Sequence, residues 1–331
     1  MTHIFTLRNR LSAGLVALSA LALSAGIASA ETTIRIGHVL ADTHSWHVAA
    51  QGFAADVAEK TEGRVKIEIF AGGQLGNEKD MIEGLQFGAV QGGVIGGGSF
   101  QSIEPKMGII EMPYAWASRE QAFAALDGDL GAHLAGLLDG KGVKLLAWWE
   151  NGYRNVTNSK RPITTPADLA GLKIRVTPDK VRLATFEALG AQPAPLAFGE
   201  LYSALQQGVF DAQENPLAII HSSSFFEVQK YVSMTNHVWG SAALVVSSIT
   251  WNSLSPEDQA VVQAAAMAWG EKQRQMVADS DAEMVEKLKA AGMAFNEVDR
   301  DAFVAAVQPI WESEAATFGP ELMGLMESAR K

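Results

Sequence analysis

From Thr33 to Ile95 the hydrophobic pattern changes period again and again, and this alternation constrains the fold more than any other feature of the chain. TIRIGH (Thr33 to His38) reads as a strand. VKIEIF (Val65 to Phe70) places apolar residues at every second position, as a half-buried strand requires. Between them, Trp46 to Lys60 turns Phe53, Val57 and Ala58 to one face of an amphipathic helix. Glu78 to Phe87 is helical and stops at Gly88, and Val90 to Ile95 is another short strand. Strand-helix-strand alternation predicts an α/β sheet with helices on its faces.

The pattern has a faint echo. LQFGAVQGG (Leu85 to Gly93) is followed 120 residues later by LQQGVFDAQ (Leu205 to Gln213). In each, a helix ends at Leu-Gln, a glycine follows, and a strand begins; Gly88 and Gly208 sit where a helix C-cap takes a left-handed residue. Two similar lobes would leave such a trace. The second opens after Gly152 with TPADLAGLKIRV, in which Thr165 caps a short helix, Pro166 takes its first position and Asp168 lies in its first turn. A helix near Lys180 to Leu189, a proline-containing link and a helix from Glu200 to Gln207 follow.

Ser255-Pro256-Glu257-Asp258 starts a helix that Gly292 stops, with Gly270 its only glycine. At 1.5 Å per residue it runs roughly 50 Å, longer than one lobe, so it is read as a brace across both. The expected architecture is a two-lobed α/β protein with a ligand cleft between lobes. Residues 31–152 and 241–280 form the first lobe, and 153–240 and 281–331 the second.

The amino terminus reads as an export signal. Arg8 and Arg10 precede the apolar run Leu11 to Leu23, and Ala28-Ser29-Ala30 is a small-residue cleavage site, so residues 1–30 are expected to be removed and the mature chain to start near Glu31. The run is shorter than the about 20 residues a membrane span needs, and no later segment qualifies. The product is expected outside the cytoplasm, in the periplasm. The chain has no cysteine, which excludes disulfides and thiolate chemistry. Its net charge of -11 argues against nucleic acid and anionic membranes as partners.

Motifs for chemistry are missing. There is no nucleophile elbow, phosphate loop, HExxH or dinucleotide fingerprint, and nothing calls for a cofactor. Gly96-Gly97-Gly98-Ser99 lacks the lysine of a phosphate loop and reads as a close-approach loop. His44 and His47 have helical spacing but no third ligand nearby, which favours a helix start over a metal site.

Three polar residues stand at the ends of core strands. Arg154 follows the apolar run LLAWWENGY, Arg175 lies in LKIRV, and Asn215 in VFDAQENP. Open α/β sheets bind ligands beyond the carboxyl ends of their strands, and two guanidiniums with an amide there make a bidentate clamp for a carboxylate. The alternative is that the arginines pair with Asp or Glu of the protein itself. Trp148 and Trp149 point to opposite sides of their strand, so at most one lines a cleft. His38, ending the first strand, and Trp239, near the return to the first lobe, are further wall candidates.

Three runs, GGQLGNEKDMIEGLQFGAV, NGYRNVTNSKRPITTPADLAGLKIRV and GAQPAPLAFGELYSALQQGVFDAQENPL, resemble the DctP-like solute receptors of tripartite ATP-independent periplasmic (TRAP) transporters. This family includes the C4-dicarboxylate and sialic-acid receptors. The resemblance spans essentially the whole mature chain. It implies a two-lobed receptor, without enzymatic activity, that closes over an organic acid and delivers it to a membrane permease. It further implies that Arg175 is the main carboxylate partner, that Arg154 and Asn215 complete the clamp, that Phe198 is an apolar wall and that Glu78 meets the ligand body. Gly96 stands where sialic-acid receptors carry a glutamate, which argues against sialic acid. The tryptophans, His38, Glu78 and Glu150 favour a hydroxylated body, hence a sugar acid or hydroxy acid ahead of a C4 dicarboxylate. The receptor is expected to be a monomer. A receptor feeding a sensor kinase and a periplasmic enzyme are the rival readings.

Overall fold

A computed structural model describes residues 31–331; the expected signal segment, 1–30, lies outside the described residues. The strands are β1 (Thr32–Gly37), β2 (Val65–Phe70), β3 (Gly92–Gly96), β4 (Val143–Asn158), β5 (Lys173–Val176), β6 (Gln192–Pro195), β7 (Ala212–Asn215), β8 (Tyr231–Ser247) and β9 (Ala294–Asn296). The first helices are α1 (Ser45–Lys60), α2 (Glu78–Phe87), α3 (Arg119–Asp127), α4 (Asp129–Asp139) and α5 (Lys180–Ala188). After them come α6 (Leu201–Gln206), α7 (Leu217–Ser222), α8 (Ser248–Ser253), α9 (Pro256–Ala290) and α10 (Arg300–Ala329). The anticipated strands and helices of the first hundred residues are present with ends shifted by at most two residues. Gly88 and Gly208 both have the left-handed backbone their capping positions call for, at φ 75° and 70°.

All strands join one sheet in the order β2-β1-β3-β8-β4-β7-β5-β6, with β9 added to β8. Its frame is the antiparallel pair of β4, 16 residues, and β8, 17 residues. The parallel strands β1 and β2, with β3, hang on one end of this ribbon, through β3 and Ala242–Val246 of β8. The parallel strands β5 and β6, with β7, hang on the other, through β7 and Asn155–Asn158 of β4. Midway, Gly152 faces Gly240, between register shifts at Glu150/Gly152 and Arg154/Val156. Each extra residue in a ladder bends the strand and strengthens its twist.

The hydrophobic core divides by sheet face rather than by lobe. On one face Trp148 belongs with Leu130 and Leu134 of one end and Ile174 and Phe186 of the other. On the opposite face Trp149 belongs with Trp46 and Phe53, and with Leu201 and Phe210. The neighbouring tryptophans thus point apart, as a two-residue period requires.

The long helix α9 is 35 residues, capped by the Ser255 side chain, which accepts from the Asp258 N–H at 3.1 Å. It packs on α1, β4 and α7, so one rigid element touches both ends of the sheet. At the midpoint of the ribbon Gln273 of α9 donates to the Glu150 carbonyl at 2.9 Å and accepts from the Glu150 N–H at 2.8 Å. The backbone groups freed by the bulge are thereby satisfied. The second long helix, α10, was not anticipated; Gly319, at φ 78°, kinks it, and it packs on α4 as well as α5.

Candidate functional site

The strands carrying Arg154, Asn215 and Arg175 are neighbours in the sheet, β4-β7-β5, so the three converge; Arg154 lies inside β4 rather than past its end, because the strand continues beyond the bulges to Asn158. All three line one cavity. Glu78 and Phe198 line it as well.

Arg175 is 2% exposed. In β5 its neighbours Ile174 and Val176 turn into the core, which leaves the arginine on the other face. Nε and Nη2 both donate to the Leu196 carbonyl, at 2.9 and 2.7 Å, and the guanidinium lies 5.9 Å from the Phe198 ring centroid. Among the described residues no carboxylate is bonded to it. Burial pushes its pKa down to about 10, and the pull of Glu214 and Glu78 does not restore it. A cation is thus held out of water without a full counter-charge.

Arg154 differs. Its Nε reaches Glu214 Oε2 at 2.5 Å, and Nη2 reaches Glu214 Oε1 at 2.8 Å and Asn215 Oδ1 at 3.0 Å. The expectation that its partner is the ligand rather than a side chain is therefore corrected: Glu214 answers its charge. Glu214 also accepts from Arg182 Nη1 at 2.5 Å and lies 3.1 Å from His237 Nε2. Burial opposes its ionisation, but Arg154 and Arg182 outweigh that and hold the carboxyl well below its ordinary pKa. Asn215 is fixed by Arg154 and by its own donation to Gln213 Oε1 at 2.6 Å.

Sequence reasoning missed Arg182 and its partners. Arg182 of α5 bonds Glu111 Oε2 at 2.5 Å and lies 3.9 Å from Asp179 Oδ2. Burial raises Glu111 to about 7 despite this arginine. Asp179 caps α5, accepting from the Arg182 N–H at 2.9 Å and from Gln101 Nε2 at 2.7 Å. The one signal in the sequence was Asp179 followed at helical spacing by Arg182; Glu111 and Gln101 come from the far end of the sheet, and no local pattern marks them.

The opposite wall is the close-approach loop. Glu78 of α2 accepts from the Gly96 N–H at 2.9 Å and from Ser99 Oγ at 2.7 Å. A Cβ on Gly97 would fall 2.1 Å from Ser241 Oγ, so glycine is what lets the loop meet β8. His44 is a helix cap, accepting from the Trp46 N–H at 3.2 Å, and no group of three potential metal ligands is placed to hold an ion among the described residues.

Five candidates are not in the cavity wall. Trp148 and Trp149 are core residues on the two faces, so neither lines the cleft. Trp239 packs edge-on against Phe123 at 5.2 Å and donates its Nε1 to Glu150 Oε1 at 2.9 Å. Glu150 is wholly buried there, 3.7 Å from Arg119, and burial pushes its pKa up to about 7. His38 sits behind the wall residues Val39 and Leu40, 3.0 Å from His47, and burial lowers its pKa to about 4. The common reason is sidedness: these side chains are buried in the core or behind the wall rather than turned into the cavity.

A two-lobed sheet closed over a polar, arginine-bearing cavity is the architecture of an extracellular solute receptor. Residues 36–317 match the family described as bacterial extracellular solute-binding protein, family 7 (DctP). The 2,3-diketo-L-gulonate-binding periplasmic protein YiaO of Escherichia coli (strain K12) is 37% identical, covering 89% of this chain and 88% of that one. The crystal structure of a TRAP periplasmic solute binding protein from Polaromonas sp. JS666 bound to D-erythronate has a TM-score of 0.88 at 37% identity, covering 91% of this chain and 100% of that one. One from Roseobacter denitrificans OCh 114 with bound L-galactonate has a TM-score of 0.85 at 37% identity, covering 91% and 99%. The chain belongs to the DctP family of TRAP solute-binding proteins. Among the described residues, no helix is long and apolar enough to cross a membrane.

Proposed function

We propose that this chain is a monomeric periplasmic receptor that binds a small hydroxylated organic acid, a sugar acid or hydroxy acid ahead of a C4 dicarboxylate, and delivers it to a TRAP permease. The observation that carries the reading is Arg175: a buried guanidinium, its pKa lowered, with only a carbonyl for partner, in the wall of the cavity. A ligand carboxylate supplies the missing charge and matches the geometry of the guanidinium fork. Arg154 and Asn215 stand next to it and complete the clamp as a pre-set surface, held in place by Glu214 and Gln213. Phe198 closes the apolar side, and Glu78 meets the ligand body. The relatives that bind 2,3-diketo-L-gulonate, D-erythronate and L-galactonate support an acid with several hydroxyls.

A thermal-shift screen of the mature protein against C4 to C6 organic acids tests this. A ligand at 100 times its dissociation constant adds about 2.7 kcal/mol of stability, a readily visible shift. Failure of every acid in the panel to raise the melting temperature overturns the reading. Delivery is tested by uptake in vesicles carrying the cognate permease, with and without the receptor.

A further inference from the structure

Part of the cavity wall offers acceptors with nothing to accept from. Asp179 is 4% exposed; its Oδ1 is used by Gln101 and the Arg182 N–H, whereas Oδ2 is buried without a hydrogen bond. The nearest cation to Oδ2, Arg182 Nη2, is 3.9 Å away and engaged with Glu111. Asn151 Oδ1 is buried and unbonded as well. Both residues line the cavity, one from the midpoint of β4, the other from the cap of α5. A Cβ on Gly98 would come within 2.4 Å of Asp179 Oδ2, so only glycine fits beside that oxygen. A buried acceptor without a donor carries an uncompensated desolvation cost, which a ligand hydroxyl removes and a ligand carboxylate oxygen does not.

The charges point the same way. Glu78, Glu111 and Asp179 all face the cavity, while Arg154 and Arg182 are engaged by Glu214 and Glu111. Arg175 alone is free of a carboxylate, so a second ligand carboxylate meets acidic groups and no spare cation.

We propose that Asn151 and Asp179 are specificity-determining residues that accept hydrogen bonds from ligand hydroxyls, so that the site takes a polyhydroxylated monocarboxylate and rejects the dicarboxylate of equal length. This rests on the reading of the cavity as an organic-acid site.

Titration calorimetry on the mature protein tests it with aldonates of four to six carbons, D-erythronate and L-galactonate among them. Each is compared with the dicarboxylate and the unhydroxylated monocarboxylate of the same length. The tightest aldonate is expected to bind at least about 100-fold better than either counterpart, because a site built for hydroxyls penalises their loss. Asp179→Asn keeps the helix cap but turns the free acceptor into a donor. It is expected to weaken the aldonate by about tenfold or more and to narrow the gap to the dicarboxylate. Asn151→Ala, which leaves that cap untouched, is expected to weaken the aldonate likewise. If no acid of any kind binds, the receptor reading itself falls, and this proposal with it. If a dicarboxylate or unhydroxylated acid binds as tightly as its aldonate, or both variants keep the wild-type ranking, the acceptor wall is overturned while the receptor reading stands.

Discussion

Arg175 and Arg154, two arginines in one cavity, should respond oppositely to removal. Arg175→Ala is expected to lose roughly 2–5 kcal/mol of affinity for the acid, because it strands a buried carboxylate. Arg175→Lys does not rescue it, since an ammonium cannot reproduce the fork. The ligand-free protein is expected to keep its stability in both, as only the Leu196 carbonyl loses a partner. Arg154→Ala leaves Glu214 with Arg182 and His237. It is expected to destabilise the ligand-free protein by roughly 2–4 kcal/mol in urea unfolding, somewhat less than orphaning a buried charge outright. Equal apo stability of the two variants contradicts the partner assignment. Glu150 belongs to the same scale. Its folded pKa of about 7 lies above the ordinary carboxyl value, so between the two the folded chain holds a proton that the unfolded chain has released. Stability therefore falls as pH rises toward 7, and the loss is complete above it. Glu150→Gln removes this dependence: its stability relative to wild type is expected to rise by about 1–3 kcal/mol from pH 5 to pH 8. A pH-independent difference would sink the assignment.

At the scale of elements, close approaches set what the helices tolerate. Gly131 lies inside α4, where alanine would ordinarily favour the helix by about 1 kcal/mol. A Cβ there would come within 1.8 Å of the Leu126 carbonyl oxygen in α3, and backbone cannot swing aside as a side chain can. Gly131→Ala is expected to lower stability by about 1–3 kcal/mol, the usual cost of overpacking, in thermal or denaturant unfolding. An unchanged or raised melting temperature would show that α3 and α4 are not wedged as described. Gly270 in α9 is milder: a Cβ at 3.4 Å from the Trp149 indole is near ordinary contact, so the helix lies close on β4 without clashing.

At the scale of the whole molecule, the two ends of the sheet are joined by the β4–β8 ribbon, with α9 and α10 packed across it. Gly152 at φ 119° and Gly240 opposite it lie between register shifts, where a hinge in that ribbon is expected. The cavity wall draws Glu78 and Gly96 from one side and Arg175 and Asp179 from the other. A ligand held there would have more contacts with the sides together, and only such differential affinity could drive closure. Small-angle scattering is expected to show a smaller radius of gyration on adding a tightly bound acid, at unchanged mass. An identical radius with and without it is incompatible with a hinge here.

Periodicity and capping by themselves determined β1, β2, β3 and β5, the helices α1, α2, α5 and α6, and the long helix α9, because these depend on residues a few positions apart; α10 and β9 were not anticipated. Gly88, Gly208, Ser255 and Pro166 marked their turns and helix ends for the same local reason. Strand ends also brought Arg154, Arg175 and Asn215 together on paper, and the sheet order makes those three strands neighbours. Sidedness was not legible. In β4 three register shifts interrupt the alternation, and a slip of one residue exchanges the faces, so Trp148, Trp149 and Glu150 could not be assigned to the cleft or the core in advance. The pairing of Arg154 with Glu214, of Arg182 with Glu111 and of Asp179 with Gln101 was likewise invisible. Those partners are 60, 71 and 78 residues apart, and electrostatic complementarity between distant segments leaves no periodic mark on either. Local chemistry wrote the elements; only the packed sheet decided which arginine was already answered by a carboxylate and which, Arg175, has only a carbonyl for partner.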